Sequence, residues 1–404
     1  MRVLMTQKEK LKEAIISACC DAKLTEAEAA KRLGVCDRQV RKLKRKFRNG
    51  ICLKHGNSKK SNKRLSDEFK ERIVNIYNDF KFVGCNFLHF KELLLIHHDI
   101  KIGYTTLRQI LNEAGFKSPK KQKKRKIHKS RPPRSCFGEL LQTDASPFQW
   151  FLPFGDTQSY SLHGFIDDAT GIVTGLHFSK NECLDGYFEA FRQVLTGFGL
   201  PESIYADGLC LFFGNTKREP SIDELLSGIS ENKTQFGKIL DSLGIDLIHA
   251  LSPQAKEKIE RLWQTLQSRL VIEFKLHNID CMNKANNFLP RFLKAFNKQF
   301  SKPPASENSL FLPLPKHINL DTLLAKKITR KLDAGLCFSL DNHKFRVDDA
   351  APKSTVEILL SSRLGMKVLY HDLLLAPVPL SALSNLSDFI YLHTLINEKL
   401  SASS

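Results

Sequence analysis

Between residues 136 and about 276, strand-like and amphipathic helix-like segments alternate in one particular order. The hydrophobic pattern predicts strands at 137–143, 160–167, 172–178, 203–206 and 245–250. It predicts helices at 184–198, at 234–243 and from 252 to about 276, where Ser252 is the expected N-cap and Pro253 the first helical residue. Three strands followed by helix, strand, helix, strand and helix restrict the chain to a sheet covered by helices.

This order is typical of the ribonuclease-H-like fold. In that fold the first three strands are antiparallel, the later strands make the five-stranded sheet mixed, and helices pack on its faces. The turn sequence Asp168-Ala169-Thr170-Gly171 supports it, because this turn joins the second and third predicted strands directly. We therefore predict an α/β core of this type at 136–300.

Two helical units precede the core. In the first, Thr25 is the expected cap of one helix, Gly34 suits the turn, and Asp37 is the expected cap of the next helix. Val40 and Leu43 face inward on this second helix. Its outward face carries basic and amide side chains: Arg38, Gln39, Arg41, Lys42, Lys44 and Arg45. The pattern predicts a helix-turn-helix whose second helix enters a DNA major groove. An ordinary helical hairpin is the alternative.

The second unit covers 66–115 and starts at Ser66 and Asp67. Its predicted apolar core consists of Ile73, Val74, Ile76, Tyr77, Phe87, Phe90, Leu93, Leu94 and Leu95. A recognition-type helix at 104–111 carries Arg108 outward and is closed by Gly115. Two such modules in one chain would lengthen the DNA footprint.

Short strands near the end of the chain, at 338–340, 344–347, 356–360 and 366–370, predict a small β-barrel. The fold class is thus multidomain α+β: helix-turn-helix domains, a ribonuclease-H-like core and a small β-barrel. The predicted domains are a first helix-turn-helix at 1–50, a basic linker at 51–64, a second helix-turn-helix at 65–116, a basic linker at 117–135, the core at 136–300, a linker at 301–334, the β-barrel at 335–380 and a tail at 381–404.

Charge indicates the partner. The formal net charge is +19, and two segments carry most of its density. From Arg41 to Arg64 there are 11 Lys or Arg and no acid, and from Lys117 to Arg134 there are 10 and no acid. Dense basic segments at fixed places favour phosphate binding over evenly spread solubilising charge, so we expect a nucleic acid partner. The 10 cysteines lack metal-ligand spacing, and we interpret them as reduced and structural.

Three acids are candidates for chemistry. Asp144 follows the first predicted strand, Asp207 follows the fourth, and Glu260 lies on the long last helix of the core. Strand ends and a crossing helix can meet at one edge of a sheet. Cleavage of an anionic phosphodiester suits two Mg²⁺ ions about 3.5–4 Å apart, which need few carboxylate ligands. Mn²⁺ is the expected substitute for Mg²⁺.

Other polar residues have simpler interpretations. Lys256 lies four positions before Glu260, on the same helix face, and is expected to contact a DNA phosphate. Trp263 is expected to pack on the sheet. Asp167 and Asp168 precede a turn, and we predict a structural role for them, with support of the site as the alternative.

At these positions the sequence resembles the DDE integrase-core transposases of bacterial insertion sequences, which share the fold of retroviral integrases. The segments that carry the resemblance are 141–146, 163–170, 200–208 and 234–237, together with Ser252-Pro253-Gln254-Ala255-Lys256-Glu257-Lys258-Ile259-Glu260-Arg261. The last block is close to the family signature SPQAKGxxER, and together with 234–237 it looks most like the ISNCY group. The resemblance covers nearly the whole chain.

The resemblance implies that Asp144, Asp207 and Glu260 bind the catalytic metal ions. It also implies binding of transposon-end DNA by the amino-terminal helices and a multimeric complex that bridges two ends. The chain departs from the family pattern at Glu257, where the family has Gly. It also separates Asp207 from Glu260 by 53 positions, with 211–233 as an apparent insertion that forms either a lid or a plain surface loop.

The predicted function is that of a DDE transposase, a polynucleotidyl transferase that cleaves transposon-end DNA and joins it to target DNA. Its expected partners are double-stranded DNA and further copies of itself; no membrane is expected, and the expected location is the bacterial cytoplasm at the nucleoid. The residues expected to bind DNA are Arg38, Gln39, Arg41, Lys42, Lys44, Arg45, Arg108, Lys120, Lys121, Lys123, Lys124, Arg125, Lys126 and Lys256. The alternatives are a catalytically inactive DNA-binding derivative, a purely hydrolytic nuclease of the same fold and, remotely, a transcription regulator that uses only 1–115.

Overall fold

The computed structural model of the chain describes residues 7–51, 65–119, 131–207, 211–213, 233–250, 256–340 and 343–380. The chain divides into two compact units, Met1–Ile73 and Val74–Ser404. In the described part, no helix is both long and apolar enough to span a membrane.

The first unit is built on α1 (Gln7–Cys20), α2 (Glu26–Leu33) and α3 (Asp37–Arg48). Thr25 caps α2 as predicted: its hydroxyl accepts from the Glu28 N–H, and the Glu28 carboxylate accepts from the Thr25 N–H. Gly34 ends α2 with a φ of 63°. The prediction for Asp37 was wrong, because Cys36 holds the N-cap position and Asp37 is already helical. There its charge still faces the positive end of the helix dipole.

Helix α4 (Asp67–Asn78) runs across the boundary between the units, and α5 (Phe87–His98) and α6 (Tyr104–Glu113) belong to the second unit. Phe87, Phe90, Leu93 and Leu94 are buried as predicted. Leu95 is 50% exposed and was wrongly assigned to the core. It follows two buried leucines directly, and a helix turns by about 100° per residue, so its side chain leaves the buried face.

The central sheet contains β1 (Leu141–Phe148), β2 (Tyr160–Asp167), β3 (Val173–Ser179), β4 (Ser203–Ala206) and β5 (Asp246–His249). Its strand order is β3-β2-β1-β4-β5. The pairs β1–β2 and β2–β3 are antiparallel, whereas β1–β4 and β4–β5 are parallel. This confirms the predicted mixed five-stranded sheet with three antiparallel strands first.

Helices cover both faces of this sheet. Helices α7 (Leu184–Gly197) and α8 (Gln235–Ser242) bury Phe165 and Ile204 on one face. Helices α9 (Glu257–His277) and α10 (Met282–Phe300) bury Leu162 and Ile166 on the other. Neighbouring residues of a strand point to opposite faces, so β2 contributes to both cores. The predicted start of α9 at Ser252 and Pro253 lies outside the described residues.

The carboxyl-terminal region contains two sheets over one apolar core. One sheet, in the order β11-β10-β9-β6, comprises β6 (Lys326–Lys331), β9 (Thr355–Ser361), β10 (Gly365–Tyr370) and β11 (Leu373–Leu375). The other, in the order β12-β8-β7, comprises β7 (Cys337–Leu340), β8 (His343–Arg346) and β12 (Val378–Pro379). Closure into a single barrel stays a prediction.

The segment 301–334 was expected to be a linker, but it contains α11 (Leu320–Leu323) and β6. Its residues Ser309 and Leu312 form bridges with Phe137 and Leu200. Apolar side chains of this segment also pack against the core beside α7, so the segment is part of the packed structure.

Candidate active site

Two of the predicted acids lie at one edge of the central sheet. Strand β4 ends at Ala206, and Asp207 follows directly. Strand β1 pairs with β4 in parallel through Leu141 opposite Ile204 and Gln142 opposite Tyr205. Continuing in this register brings Asp144 opposite Asp207.

The sequence predicted that the first strand ends at Asp144, but in the structure the strand continues beyond it. Asp144 is the fourth residue of β1, which continues to Phe148 because β2 pairs with it over that whole length. On the β4 side the pairing stops before Asp144. Asp144 therefore lies where β1 is no longer paired with β4, beside the residue that follows β4, although β1 itself continues.

A lysine joins the two acids. The Lys256 ammonium lies 2.9 Å from Asp144 Oδ1 and 3.3 Å from Asp207 Oδ2. Lys256 is only 7% exposed, which is rare for a lysine without carboxylate partners. Its contact with a DNA phosphate stays a prediction; here the ammonium serves as the shared cation of two carboxylates.

The second oxygen of Asp144 also has a partner. Trp263 Nε1 donates to Asp144 Oδ2 over 3.1 Å. The indole packs on the sheet as predicted, above Gly164 of β2. A Cβ at position 164 would lie 2.7 Å from the indole ring, so this approach requires glycine. Asp144 is thus held by one flexible ammonium and one packed indole.

Glu260 lies in the first turn of α9, four positions after Lys256, and is exposed. Within the described ranges, no three His, Cys, Asp or Glu side chains are gathered closely enough to hold a metal ion. The structure therefore brings together Asp144 and Asp207 around a cation, and Glu260 stands outside that pair.

The donors nevertheless fit a hard divalent cation. They are carboxylate oxygens, which Mg²⁺ prefers. The ammonium between Asp144 and Asp207 shows that their oxygens already converge on one positive charge. Asp144 and Asp207 are the residues that would hold such an ion, and Glu260 on the adjacent helix is the third candidate.

A buried glutamine positions α9 against β1. Gln142 Oε1 accepts from the Ile259 N–H over 3.2 Å, and its Nε2 donates to Asp168 Oδ1 over 2.7 Å. Ile259 lies in the first turn of α9, where backbone N–H groups lack partners within the helix. Gln142 therefore fixes the turn that carries Glu260.

Asp167 and Asp168 lie at the opposite edge of the sheet and are 0% and 1% exposed. Asp167 accepts from the N–H groups of Gly138 and Thr170 and from the Thr170 hydroxyl. Asp168 accepts from Arg131, from the Arg134 N–H and from Gln142. Burial raises the pKa of Asp167, while these hydrogen bonds oppose that rise. These contacts fit the predicted structural role.

Sequence reasoning missed Glu182. Its carboxylate accepts from the Tyr187 hydroxyl over 2.6 Å. Burial raises the pKa of Glu182, and the negative charges of Asp144 and Asp207 raise it further. Strand β3 runs in the same direction as β1, because both are antiparallel to β2. An acid shortly after β3 is thus expected at the Asp144 edge, and this signal was present in the sequence.

The residues predicted to bind DNA are placed in three ways. On α3, the side chains of Arg38, Gln39, Arg41, Lys42 and Arg45 are exposed. Lys44 is partly buried, and Glu26 forms ion pairs with both Lys44 and Arg41 at 3.0 Å. Arg108 is exposed on α6. The six residues from 120 to 126, namely Lys120, Lys121, Lys123, Lys124, Arg125 and Lys126, lie outside the described residues, as does most of the predicted insertion.

Comparison with known proteins assigns the family. No protein-family model matches the chain. Among solved structures, the simian T-cell lymphotropic virus intasome in complex with PP2A regulatory subunit B56 gamma is 15% identical with a TM-score of 0.31, covering 76% of this chain and 99% of that one. The HTLV-2 integrase catalytic core in complex with magnesium is 16% identical with a TM-score of 0.26, covering 38% of this chain and 82% of that one. At these TM-scores, the fold assignment rests on the strand order and directions given above.

The curated relatives are closer. The chain is 32% identical over 362 residues to the transposase for insertion sequence IS1202 of Streptococcus pneumoniae, covering 81% of this chain and 75% of that protein. It is 32% identical over 351 residues to the putative transposase y4bF of Sinorhizobium fredii (strain NBRC 101917 / NGR234), covering 86% of this chain and 74% of that protein. The chain therefore belongs to the insertion-sequence transposases.

Proposed function

We propose that this transposase cleaves DNA at the ends of its element and joins the ends to target DNA, with Asp144, Asp207 and Glu260 as its metal-binding acids. The observation that carries the proposal is the convergence of Asp144 and Asp207 on one cation, with ammonium–oxygen distances of 2.9 and 3.3 Å. The helix that bears Glu260 begins beside them. Carboxylates converging at an open sheet edge are what phosphodiester chemistry with Mg²⁺ requires.

Bound Mg²⁺ would lower the pKa of an attacking water or 3′-hydroxyl and stabilise charge on the phosphate. The chain's own residues position these groups. Trp263 orients Asp144 through Oδ2, which leaves Oδ1 for the ammonium that Asp144 shares with Asp207. Gln142 holds the first turn of α9 so that Glu260 keeps its place. Mg²⁺ in two copies per site, with Mn²⁺ as a substitute, belongs to this proposal.

Lys256 has two roles in this proposal. With the acids free of metal, its ammonium offsets the repulsion between Asp144 and Asp207. A lysine side chain is a flexible stem that carries a mobile point charge. Once it leaves the carboxylates, the same ammonium is available to a DNA phosphate beside Glu260.

End DNA is bound, in this proposal, by the exposed faces of α3 and α6. The α3 face is strongly basic and supplies phosphate contacts, with affinity that falls steeply with salt. The basic segment at 117–135 adds further phosphate contacts. Bridging of two ends requires at least two copies of the chain on DNA. The enzyme acts in the cytoplasm, at the nucleoid.

The test uses purified full-length protein, a duplex that carries the native element end, a target plasmid and Mg²⁺. Expected products are a strand cut at the element boundary and joined end–target molecules. Asp144→Asn, Asp207→Asn and Glu260→Gln should abolish both and leave end binding intact. Asp246→Asn is a matched control, because Asp246 is an exposed acid at the start of β5, at the other edge of the sheet.

Three outcomes would contradict the proposal in different ways. Specific end binding without cleavage by the native protein would indicate an inactive derivative. Cleavage without joined products would indicate a purely hydrolytic nuclease. Normal cutting by Glu260→Gln would remove Glu260 from the site.

A further inference from the structure

The second helical unit is fastened to the helix that carries Glu260. Helix α5 contributes Glu92, whose carboxylate forms a 2.8 Å ion pair with Arg269 of α9. It also contributes His89, whose Nε2 lies 3.2 Å from Glu273 Oε1. These partners lie in the carboxyl-terminal half of α9, far along the helix from its catalytic end.

A third contact closes the same interface. The Lys275 ammonium donates to the backbone carbonyls of Phe80 and Val83 over 2.8 and 2.7 Å. It also lies 5.3 Å from the centre of the Phe80 ring. Both carbonyls precede α5, so the loop before α5 is bound to α9 as well.

These contacts differ from ordinary surface ion pairs because two of their members are buried and Glu92, Arg269 and Glu273 are partly buried. His89 is 3% exposed and Lys275 is 5% exposed. Burial lowers the pKa of Lys275, so its ammonium depends on the two carbonyls that it meets. Breaking one partner of such a buried contact is costly, whereas exposed pairs contribute little. We call the five side chains His89, Glu92, Arg269, Glu273 and Lys275 the α5–α9 latch.

Helix α9 itself suits the role of a rigid spacer. It runs without interruption from Glu257 to His277 and contains neither proline nor glycine. The helix is packed against the core along its length, with Ile259, Leu266 and Phe274 buried. Glu260 and Glu273 are 13 positions apart, which at 1.5 Å per residue is about 20 Å, or roughly six base pairs of DNA.

Helix α6 follows α5 and carries side chains suited to reading bases. Leu107, Ile110 and Leu111 are buried. The opposite, exposed face is polar and presents Thr105, Arg108, Gln109, Asn112 and Glu113. Arginine pairs with guanine edges, and glutamine and asparagine pair with adenine edges in the major groove.

We infer that α9 acts as a spacer in this transposase: through the latch, it holds the sequence read by α6 at a fixed distance from the phosphodiester cut at the Glu260 end. The inference rests on the proposed end binding and cleavage. In this scheme the latch residues are positioning residues. They do not touch DNA or metal. Their substitution changes the position of the cut and has little effect on the affinity for end DNA.

The test maps cut positions at single-nucleotide resolution on end DNA in Mg²⁺. The native enzyme is expected to cut mainly at one position. Arg269→Glu puts two acids in contact and should open the latch. The ratio of main-site to neighbouring-site cuts should then fall at least about tenfold, while end affinity changes little. Glu92→Arg should do the same, and the double variant, with the charges exchanged, should restore the native ratio.

Lys284→Glu is the matched control, since it makes the same charge change in the exposed pair of Lys284 with Asp280, at the start of α10. It should leave the cut pattern unchanged. Thermal melting of each variant separates misfolding from unlatching, and the double variant covers the case in which Arg269→Glu is unstable. A folded Arg269→Glu enzyme with the native cut pattern overturns the inference. Absence of cutting by the native enzyme overturns the proposed function and the inference with it, whereas a failure of this inference alone leaves cleavage intact.

Discussion

Two pairs of aspartates lie at opposite edges of the central sheet, and their carboxylates accept hydrogen bonds from different kinds of donor. Asp167 and Asp168 receive hydrogen bonds from backbone N–H groups, a threonine, an arginine and a glutamine, most of them 2.7 Å long. Asp144 receives one bond from an indole and one from the Lys256 ammonium, which it shares with Asp207. The donors to the first pair are mostly backbone N–H groups and buried side chains, whereas the second pair shares the ammonium of a flexible lysine side chain.

The contrast suggests how to separate structural from catalytic carboxylates in a fold of this kind. Burial alone does not identify a metal-binding acid, since Asp167 and Asp168, for which we propose a structural role, are more buried than Asp144 and Asp207. The mobility of the group that donates to the carboxylate is the more useful criterion. Gln142 joins the two edges, because it donates to Asp168 and accepts from the first turn of α9.

The largest effect is expected at the edge with the removable cation. Asp144→Asn should reduce strand cleavage by on the order of a thousandfold or more, because one metal-binding oxygen is lost. The melting temperature should change little. Cleavage rates and thermal denaturation of the same preparations test this. A large loss of stability would make Asp144 a structural residue like Asp168 and break the contrast.

Asp168→Ala should have the opposite profile. It leaves the Arg134 N–H, the Arg131 guanidinium and the Gln142 amide without their acceptor, at a cost of about 2–4 kcal/mol in unfolding free energy. Chemical denaturation measures that cost, with Asp280→Ala at an exposed ion pair as the control. Cleavage by the folded fraction should persist. An abolished rate at native stability would instead place Asp168 in the chemistry.

Asp185 is a third kind of carboxylate, because it makes the stability of the protein depend on pH. Burial, with help from the nearby Glu189 charge, raises the pKa of Asp185 to about 6, while Ser362 and Arg192 oppose the rise. The folded state therefore favours the protonated form, so stability falls as pH rises from about 4 to about 6. Asp185→Asn should remove this loss and stabilise the protein by about 1–3 kcal/mol at pH 7.5. Equal denaturation midpoints for both proteins at pH 7.5 would contradict this.

The smallest effect concerns the removable cation itself. Lys256→Met should tighten binding of Mn²⁺ about tenfold, or about 1.4 kcal/mol, because the metal no longer competes with an ammonium. Titration calorimetry without DNA measures this apart from activity. The variant should also be less stable than the native protein in a chelating buffer, where Asp144 and Asp207 repel each other. Unchanged metal affinity would mean that the ammonium and the metal occupy different places.

Much of the core could be predicted because its signals are local. Alternation and flanking turns placed β2 and β4 at their observed bounds, and the Thr25–Glu28 capping box needs only four residues. The position of Asp144 within β1 could not be predicted, because the length of β1 depends on β2, which pairs with it as far as Phe148. Strand β6 was missed for the same reason, since it is defined by its pairing with β9.

The site shows a similar limit. The sequence identified the candidate acids and the lysine, but the ammonium bridge from Lys256 depends on how α9 crosses β1. The latch between α5 and α9 joins residues more than 170 positions apart, such as Glu92 and Arg269. No local pattern contains that pairing. Glu182 was within reach of the strand-end argument, which was applied to β1 and β4 and not to β3.

The position of Asp144 depends on Gly164, which carries no functional group. The space above this glycine is filled by the indole of Trp263, 2.7 Å from where a Cβ would stand. The same indole orients Asp144. An added methyl group at position 164 would therefore displace the Trp263 indole from Asp144. It would also push the first turn of α9, which carries Glu260, away from Gln142. The geometry of the proposed site thus requires that position 164 has no side chain.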